Sequence, residues 1–218
     1  MGMTMAEKIL ARASGRDIVS PGQYVTAQVD LAMAHEAIAQ VFVSLLGAGW
    51  SRVWDPSRIV VLLDHYVPAS TERYAEIHKL VRMAVKQLEI KNYYGERAGI
   101  CHQVLPEKGH VLPGMLIVGT DSHTTSYGAL GAAGTGIGFS EMAYVFATGE
   151  LWFKVPQTIK VHLSGLLHDM VSAKDVILFL AGKYTAESAQ YRSVEFSGPL
   201  SEGLSLAGRM TMSNMAVE

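Results

Sequence analysis

Histidines and carboxylates follow the ends of two apolar segments of this 218-residue chain, at positions where strands of a parallel sheet would end. Asp64 and His65 come directly after the apolar run 59–63, and the sequence TDSHT at 120–124 follows the apolar run 115–118. A histidine can give or take a proton at neutral pH, and an adjacent carboxylate orients the ring and raises its pKa. Ligands of open α/β sheets bind beyond the carboxyl ends of the strands. The spacing therefore predicts acid–base chemistry on a bound ligand, although Asp and Ser also cap helices.

A third histidine and a glycine-rich run extend this pattern. His102 lies in the sequence GICHQ, and the segment 128–138 has a glycine at five positions, where backbone can approach a ligand or another segment closely. Several proton-carrying groups that converge would suit a small polyanion. The remaining histidines are predicted to be structural, with one left open: His35, followed by Glu36, fits either a solvated first helical turn or a contact with substrate.

Other catalytic and nucleotide-binding motifs are missing from the sequence. There is no HExxH and no pair of histidines at i, i+4, which argues against a zinc hydrolase. Ser122 lacks the G-x-S-x-G elbow of a nucleophilic serine, and Cys101 beside His102 matches no established local signature. The glycine run is neither GxGxxG nor a P-loop, so nucleotide binding is not predicted.

Composition narrows the class of protein further. Hydrophobic residues make up 49% of the chain and charged residues 17%, which predicts a substantial core. The net charge of −2 gives no sign of a nucleic-acid or membrane-surface partner, and no apolar run is long enough to cross a membrane. The single cysteine excludes an intramolecular disulfide, which fits a reducing cytoplasm, and one thiol cannot hold an iron–sulfur cluster.

Hydrophobic periodicity predicts an α/β fold in which strands and helices alternate. Helices are predicted over 4–14, 35–46, 70–88, 140–153, 172–182 and 204–210, and strands over 25–33, 59–63, 115–118, 158–163 and 191–196. A turn is predicted at 92–95. A weak boundary near 154–157 predicts a first domain over 1–155 and a second over 156–218. The last helix has no C-cap signal, so the sequence is expected to stop within the second domain.

Several stretches together resemble the aconitase superfamily: MTMAEKIL, DHYVP, GICHQVLPEKG, PGMLIVGTDSHTTSYGALGAAGTGIG, EMAYVFATGELWFKVP and GRMTMSNMAVE. They are most similar to the large subunits of 3-isopropylmalate dehydratases, followed by the homoaconitases, and they cover essentially the whole chain in order. The resemblance implies the N-terminal half of a longer subunit. The implied architecture is a three-layer α/β/α first domain with part of a second α/β domain.

The resemblance also implies a reaction and a cofactor. The family dehydrates and rehydrates hydroxy-acids with a [4Fe–4S] cluster, one iron of which acts as a Lewis acid. The cluster cysteines of the family lie beyond Glu218, and the base that removes the carbon-bound proton lies on a swivelling domain or small subunit. The chain alone is therefore expected to hold no cluster, to offer no metal ligands and to have no turnover.

Site residues follow from the same resemblance, position by position. Asp64 and His65 resemble the pair that protonates the departing hydroxyl, and His102 resembles the histidine beside the cluster and that hydroxyl. The remaining matches are Asp121 and His123 for the pair that holds the iron-bound water, Glu218 for the partner of His123, His35 and Ser122 for contacts with the substrate carboxylates, and Asn214 for an asparagine near the cluster.

Two readings of function stay open at this point. The first is the N-terminal part of a hydro-lyase large subunit that acts on a 2-hydroxy di- or tricarboxylate. The alternative is a non-catalytic binding or assembly module, or one chain of a divided enzyme. Expected partners are the missing C-terminal half or a separate chain, a small subunit with the swivelling domain, the hydroxy-acid substrate, and a second copy of the chain, since a cut domain would expose apolar surface.

Overall fold

The computed structural model of the chain describes residues 2–185 and 187–218. Its strands are β1 (Tyr24–Gln28), β2 (Leu31–Ala34), β3 (Ile59–Leu62), β4 (Asn92–Tyr94), β5 (Leu116–Gly119), β6 (Ala133–Gly136), β7 (Glu150–Lys154), β8 (Gln157–His162) and β9 (Arg192–Ser197). Its helices are α1 (Met5–Ala13), α2 (Ile38–Gly47), α3 (Glu72–Gln87), α4 (Cys101–Glu107), α5 (Phe139–Thr148), α6 (Ala173–Tyr184), α7 (Pro199–Gly203) and α8 (Leu206–Met215). A 3₁₀ segment spans Ser122–Leu130.

A five-stranded parallel sheet, in the order β4-β3-β2-β5-β6, lies at the centre of the described chain. Alternate side chains of its strands enter two different cores: Ala32 and Ala34 pack with α2, α3 and α5, whereas Leu31 and Met33 pack with α4 and the 3₁₀ segment. Fully burying a side chain such as Leu31 contributes about 1.5–3 kcal/mol. Helices on both faces of a parallel sheet confirm the predicted α/β/α fold class.

Helix α1 begins as its sequence predicts. The Thr4 hydroxyl accepts the backbone N–H of Glu7, and the Glu7 carboxylate accepts the backbone N–H of Thr4, which is a capping box. The apolar side of α1 packs against an antiparallel ribbon of β1 and β7 and against Leu116 of the central sheet.

The end of the chain forms a smaller assembly. Strands β8 and β9 pair in parallel in a sheet of their own, and α6 and α8 pack near them around a small core, in which the buried side chains of the described residues are Ala173, Ile177 and Met212. Large apolar side chains here are exposed, Tyr191 and Phe179 among them. Helix α8 also lies against the 3₁₀ segment of the first region. The division of the chain at residue 155 stays a prediction.

Several predicted elements are wrong in extent or type. The predicted strand 25–33 is two strands in different sheets, β1 and β2. The predicted turn at 92–95 is the edge strand β4, which is too short for a periodic signal. The helix predicted over 140–153 ends at Thr148, where Gly149 with φ 78° caps it, and strand β7 follows.

Part of the glycine run forms strand β6, where no strand was predicted. Glycine gives no strand periodicity, yet it is required here: a Cβ on Gly134 would press into the carbonyl oxygen of Thr124, and a Cβ on Gly136 would lie 2.8 Å from that of Asp121. The close approach expected of these glycines is therefore to the 3₁₀ segment. None of the helices formed by the described residues has both the length and the apolar character that a membrane crossing requires.

Candidate active site

Three neighbouring strands of the central sheet deliver the polar groups to one edge. Strand β2 has β3 on one side and β5 on the other, and the chain leaves β2 towards β3 before it crosses back to β5. This reversal is a topological switch point, where α/β sheets open a crevice for ligands. His35 follows β2, Asp64 and His65 follow β3, and Asp121 and His123 follow β5. The expectation that these loops meet at one edge agrees with the structure.

His65 lies between two carboxylates. Its Nδ1 is 2.6 Å from Asp64 Oδ1, and its Nε2 is 3.3 Å from Asp121 Oδ2. The hydrogen bond with Asp64 is the largest cause that raises the pKa of His65, to about 9, against the opposing effect of burial. Both ring nitrogens therefore hold a proton at neutral pH, and His65 is an imidazolium.

Asp64 is the buried partner of that cation, with a side chain only 4% exposed. Burial opposes its ionisation, but the hydrogen bond with His65 and the bond of 2.7 Å from the backbone N–H of Cys101 outweigh burial and lower its pKa to about 2. Cys101 begins α4, so one carboxylate links the end of β3 to the start of that helix. The pair holds its charge in a fixed orientation.

His102 is the second imidazole on Asp121, and its protonation is the opposite of that of His65. Its Nε2 is 2.6 Å from Asp121 Oδ1, and its Nδ1 is 3.3 Å from the hydroxyl of buried Tyr127. Burial lowers the pKa of His102 despite the carboxylate beside it. The ring is therefore neutral at neutral pH, in a tautomer that we assign from the groups it faces.

Asp121 joins the two imidazoles. One of its oxygens accepts from His102 and from the backbone N–H of His123 at 2.9 Å, and the other faces His65. Burial opposes its ionisation, and the hydrogen bond from His102 is the largest effect that lowers its pKa. The result is one carboxylate between a charged and a neutral imidazole.

His35 lies in the site but packs through its ring face. The ring stacks on His65 with the centroids 4.0 Å apart and the planes at 16°. Its Nε2 lies 3.2 Å from the Thr120 carbonyl oxygen, and its backbone N–H donates to the Thr120 hydroxyl at 3.3 Å. His35 precedes α2, which begins at Ile38, so the predicted first helical turn is wrong.

Glu36 was missed as a site residue because its prediction was a solvated helix start. Its side chain is fully buried, and its oxygens accept the backbone N–H groups of His65 at 3.2 Å and Tyr66 at 3.0 Å. Burial opposes its ionisation, but hydrogen bonds with His35 and with these N–H groups lower its pKa. His78, predicted to be structural, is buried 3.6 Å away. The available signal was the position of Glu36, two residues after the end of an apolar strand.

The 3₁₀ segment and α8 supply the remaining groups. His123 Nε2 lies 2.8 Å from Glu218 Oε1, and Ser122 Oγ lies 3.5 Å from His123 Nδ1. Asn214 does not reach the histidines, because its amide donates to the Ser126 hydroxyl at 3.0 Å, which in turn donates to the His123 carbonyl. Eight of the nine predicted site residues therefore contact one another as one group, and Asn214 is connected to it through the hydroxyl of Ser126.

A cleft of about 330 Å³ opens beside this group, and residues 120–122, 136–138 and Val217 are among those that line it. A larger hollow of about 620 Å³ runs along residues 93–98 and includes none of the predicted site residues, so volume alone does not identify the site. The smaller cleft brings a ligand next to Asp121. Asp121 lines this cleft, and His65 Nε2 lies 3.3 Å from Asp121 Oδ2.

Two groups bring potential metal-ligating atoms within 4.8 Å of one another: His35, His65 and Asp121, and Glu36, Asp64 and His65. His65 belongs to both groups, and both of its ring nitrogens face carboxylates as N–H donors. A histidine must lose a proton before it ligates a metal. A metal ion bound in either group would therefore have to displace a proton from His65.

Sequence comparisons identify the family to which the chain belongs. The profile of the Aconitase family (aconitate hydratase) matches residues 7–218. A probable 3-isopropylmalate dehydratase large subunit of Methanothermobacter thermautotrophicus is 51% identical over 219 residues, and the alignment covers 100% of this chain and 52% of the relative. A 3-isopropylmalate dehydratase large subunit of Methanopyrus kandleri is 52% identical over 219 residues, with the same coverage.

A probable methanogen homoaconitase large subunit of Methanothermobacter thermautotrophicus is 49% identical over 221 residues, covering 99% of this chain and 52% of that protein. This chain thus spans about half the length of the curated relatives that it matches. The profile match extends over nearly the whole sequence and includes every strand end described above. The chain therefore belongs to the aconitase family.

Proposed function

We propose that this chain is the N-terminal part of the large subunit of an aconitase-family hydro-lyase, acting on a 2-hydroxy di- or tricarboxylate such as an isopropylmalate. The observation that supports this most directly is the position of Asp121. It lines a cleft, and its carboxylate lies between a charged His65 and a neutral His102. Removal of a hydroxyl group at neutral pH needs a positioned acid, and His65 is one.

The iron–sulfur cluster of the family does not fit the residues of this chain. Cys101 is its single cysteine and is fully buried. Burial, and next the Asp64 carboxylate, raise the pKa of its thiol, which stays protonated, whereas a cluster needs several thiolates. We propose that the cluster ligands come from outside these 218 residues, and the roles below concern protons and carboxylates only.

His65 is the proposed acid. When the carbon–oxygen bond breaks, the departing hydroxide takes a proton from His65 and leaves as water, and His65 becomes neutral. Asp64 keeps the ring oriented and stabilises its charged form before transfer. In the hydration direction, neutral His65 takes the proton back from water. The base that removes the carbon-bound proton is proposed to lie on the swivelling domain or small subunit.

The other groups bind and orient. His102 donates its Nε2–H to Asp121 and stays neutral, so it does not compete with His65 for a proton. Ser122, which lines the cleft, and His35 are proposed to contact the substrate carboxylates. His123, oriented by Glu218, and Asp121 are proposed to hold the water that leaves or attacks. Asn214 supports this group through Ser126.

The proposal is tested by a chimera. Residues 1–218 are joined to the remaining half of the Methanothermobacter thermautotrophicus relative and expressed with the matching small subunit. Anaerobic reconstitution is followed by assays of 3-isopropylmalate dehydration and of homoaconitate hydration. We expect turnover of at least one of these compounds, and we expect His65→Gln to lower it by about 100-fold or more.

The matched control is His168→Gln, an exposed histidine outside the cleft, which should leave turnover unchanged. A chimera that binds its cluster but turns over neither compound, while the parent relative is active, would contradict the proposal. That outcome would favour the alternative of a binding or assembly module.

Self-association is a separate part of the proposal. Tyr191 is 93% exposed and Met170 fully exposed, and large apolar side chains of this kind favour contacts with other chains. We expect light scattering of the purified chain to give the mass of a dimer or larger. The mass of a monomer at micromolar concentration would contradict this part and leave the proposed reaction untouched.

A further inference from the structure

Tyr127 is a buried residue that the proposed reaction does not yet use. It lies in the 3₁₀ segment with no exposed surface, and its ring meets that of His102 edge-on, with the centroids 5.5 Å apart. Its hydroxyl is 3.3 Å from His102 Nδ1. Burial raises the pKa of Tyr127, so the hydroxyl keeps its hydrogen.

The available donors and acceptors determine where the hydrogens are. Asp121 is an ionised carboxylate and can only accept, so the hydrogen between it and His102 belongs to Nε2. If Nδ1 also held a hydrogen, the Tyr127 hydroxyl would have to accept it. Among the described residues that hydroxyl has no second partner for its own hydrogen, which would then be buried without an acceptor.

One arrangement satisfies every group: Tyr127 donates to His102 Nδ1, and His102 donates from Nε2 to Asp121. The Asp121 oxygen that receives this bond also accepts the His123 backbone N–H. The other oxygen is left for His65. The Tyr127 hydroxyl is thus the first donor of a chain of hydrogen bonds that runs through His102 to Asp121. The other oxygen of Asp121 faces the imidazolium of His65.

We propose that Tyr127 is a positioning residue: its hydroxyl donates to His102 Nδ1 and, together with the Asp121 carboxylate at Nε2, fixes His102 as the neutral Nε2–H tautomer, which leaves the other Asp121 oxygen to His65. The tautomer follows from the contacts alone, whereas its importance for turnover rests on the proposed function. With His102 fixed in this form, both imidazoles donate a hydrogen bond to Asp121, but only His65 has a proton to transfer to the departing hydroxide.

The test uses the 218-residue chain labelled with nitrogen-15 in its histidines. Chemical shifts of the ring nitrogens report which of them holds a hydrogen. In the unmodified chain, Nδ1 of His102 should be the nitrogen without a hydrogen. Tyr127→Phe keeps the ring and removes only the hydroxyl, and we expect His102 to shift to a mixture that includes hydrogen on Nδ1.

Tyr94→Phe is the matched control, because the Tyr94 hydroxyl lies 2.6 Å from Nε2 of a different histidine, His110. It should change the spectrum of His110 and leave His102 unchanged, and Tyr127→Phe should do the reverse. The inference is overturned if His102 in the unmodified chain has a hydrogen on Nδ1, or if Tyr127→Phe leaves its tautomer unchanged. The first of these needs no variant, so a variant that fails to fold does not protect the inference.

Turnover of the chimera separates the role from the proposed function. We expect Tyr127→Phe to lower kcat by about 10-fold with little change in KM, since the hydroxyl does not touch substrate. A changed tautomer with unchanged kcat would overturn the positioning role and leave the proposed function standing. A chimera without turnover would count against the proposed function, while the tautomer result would stand.

Discussion

Two carboxylate–histidine pairs of the site have nearly the same nitrogen–oxygen distance but very different surroundings. Asp64 and His65 lie 2.6 Å apart at the end of β3, and His123 and Glu218 lie 2.8 Å apart where the end of α8 meets the 3₁₀ segment. The Asp64 side chain is 4% exposed and that of Glu218 is 59% exposed. Contact distance therefore does not distinguish the pairs, but their access to water does.

The difference reflects the two regions that supply the pairs. Asp64 follows a strand buried on both faces and also accepts a backbone N–H, so its position is determined by the sheet. Glu218 follows a helix from a region with a core of three buried side chains, and water screens its contact. The sheet therefore holds the Asp64–His65 pair in one orientation, whereas the contact of Glu218 with His123 is exposed to water and less constrained.

The largest expected effect on the free energy of unfolding comes from adding one methyl group, by a glycine-to-alanine change, in each of the two regions. Gly134→Ala in β6 should destabilise the chain by about 3 kcal/mol, because its Cβ would press into the backbone of Thr124. Gly182→Ala in α6 meets open space and should stabilise by up to about 1 kcal/mol, since alanine favours helix. Urea unfolding of both variants checks this, and equal effects would remove the distinction between a rigid and a loosely packed region.

A buried carboxylate should show the next largest effect. Glu36→Gln replaces an acceptor of two backbone N–H groups by an amide with only one oxygen, so one N–H loses its partner. We expect a loss of about 1–3 kcal/mol in the free energy of unfolding. The exposed Glu202→Gln in α7 is the control and should change it by less than about 0.5 kcal/mol. Equal losses would show that Glu36 is not holding the loop after β3.

The Asp64–His65 pair predicts a pH dependence with a definite sign. His65 has its pKa raised from 6.5 to about 9, so its contribution to stability is complete below about pH 6.5 and is lost as the pH rises through about 9. Asp64 has its pKa lowered from 3.8 to about 2, so its contribution is present above about pH 3.8 and is lost as the pH falls through about 2.

Urea midpoints measured between about pH 6.5 and about pH 9 test the upper limb. The unmodified chain should lose stability over this range, and Asp64→Asn should lose less, because the pKa of His65 is no longer raised by its partner. His168→Gln should follow the unmodified chain. The same slope in Asp64→Asn would show that other groups cause the loss.

The smallest effect is expected at Glu218. Glu218→Gln should change the free energy of unfolding by less than about 0.5 kcal/mol, since an exposed ion pair contributes little. In the chimera the same variant should lower turnover, because Glu218 is proposed to orient His123. A large loss of stability would place Glu218 with Asp64 rather than opposite it.

Much of the central region could be predicted from sequence because its signals are local. The apolar runs before Asp64 and Asp121 are strands, and the rule that ligands bind at strand ends brought His65 and His123 into one site. Strand β6 could not be predicted in this way, since its glycines are selected by contact with a distant segment rather than by periodicity. Strand β4 is likewise defined by its pairing with β3.

The missed residues Glu36 and Tyr127 share a cause. A glutamate before a helix is ordinarily solvated, and a tyrosine next to a glycine-rich run has no helical or strand pattern around it. Both become functional candidates only in the folded chain, where their side chains are buried and contact site residues. Their partners, His65 and His102, are far enough away in sequence that no short motif could pair them.

The solitary thiol at the start of α4 has a practical use. Cys101 has no exposed surface, and burial raises its pKa, so both access and reactivity are denied to an alkylating reagent while the helix is in place. Its labelling rate should therefore measure how often the start of α4 opens, without an introduced probe. The native cysteine can therefore report local opening of the fold next to His102.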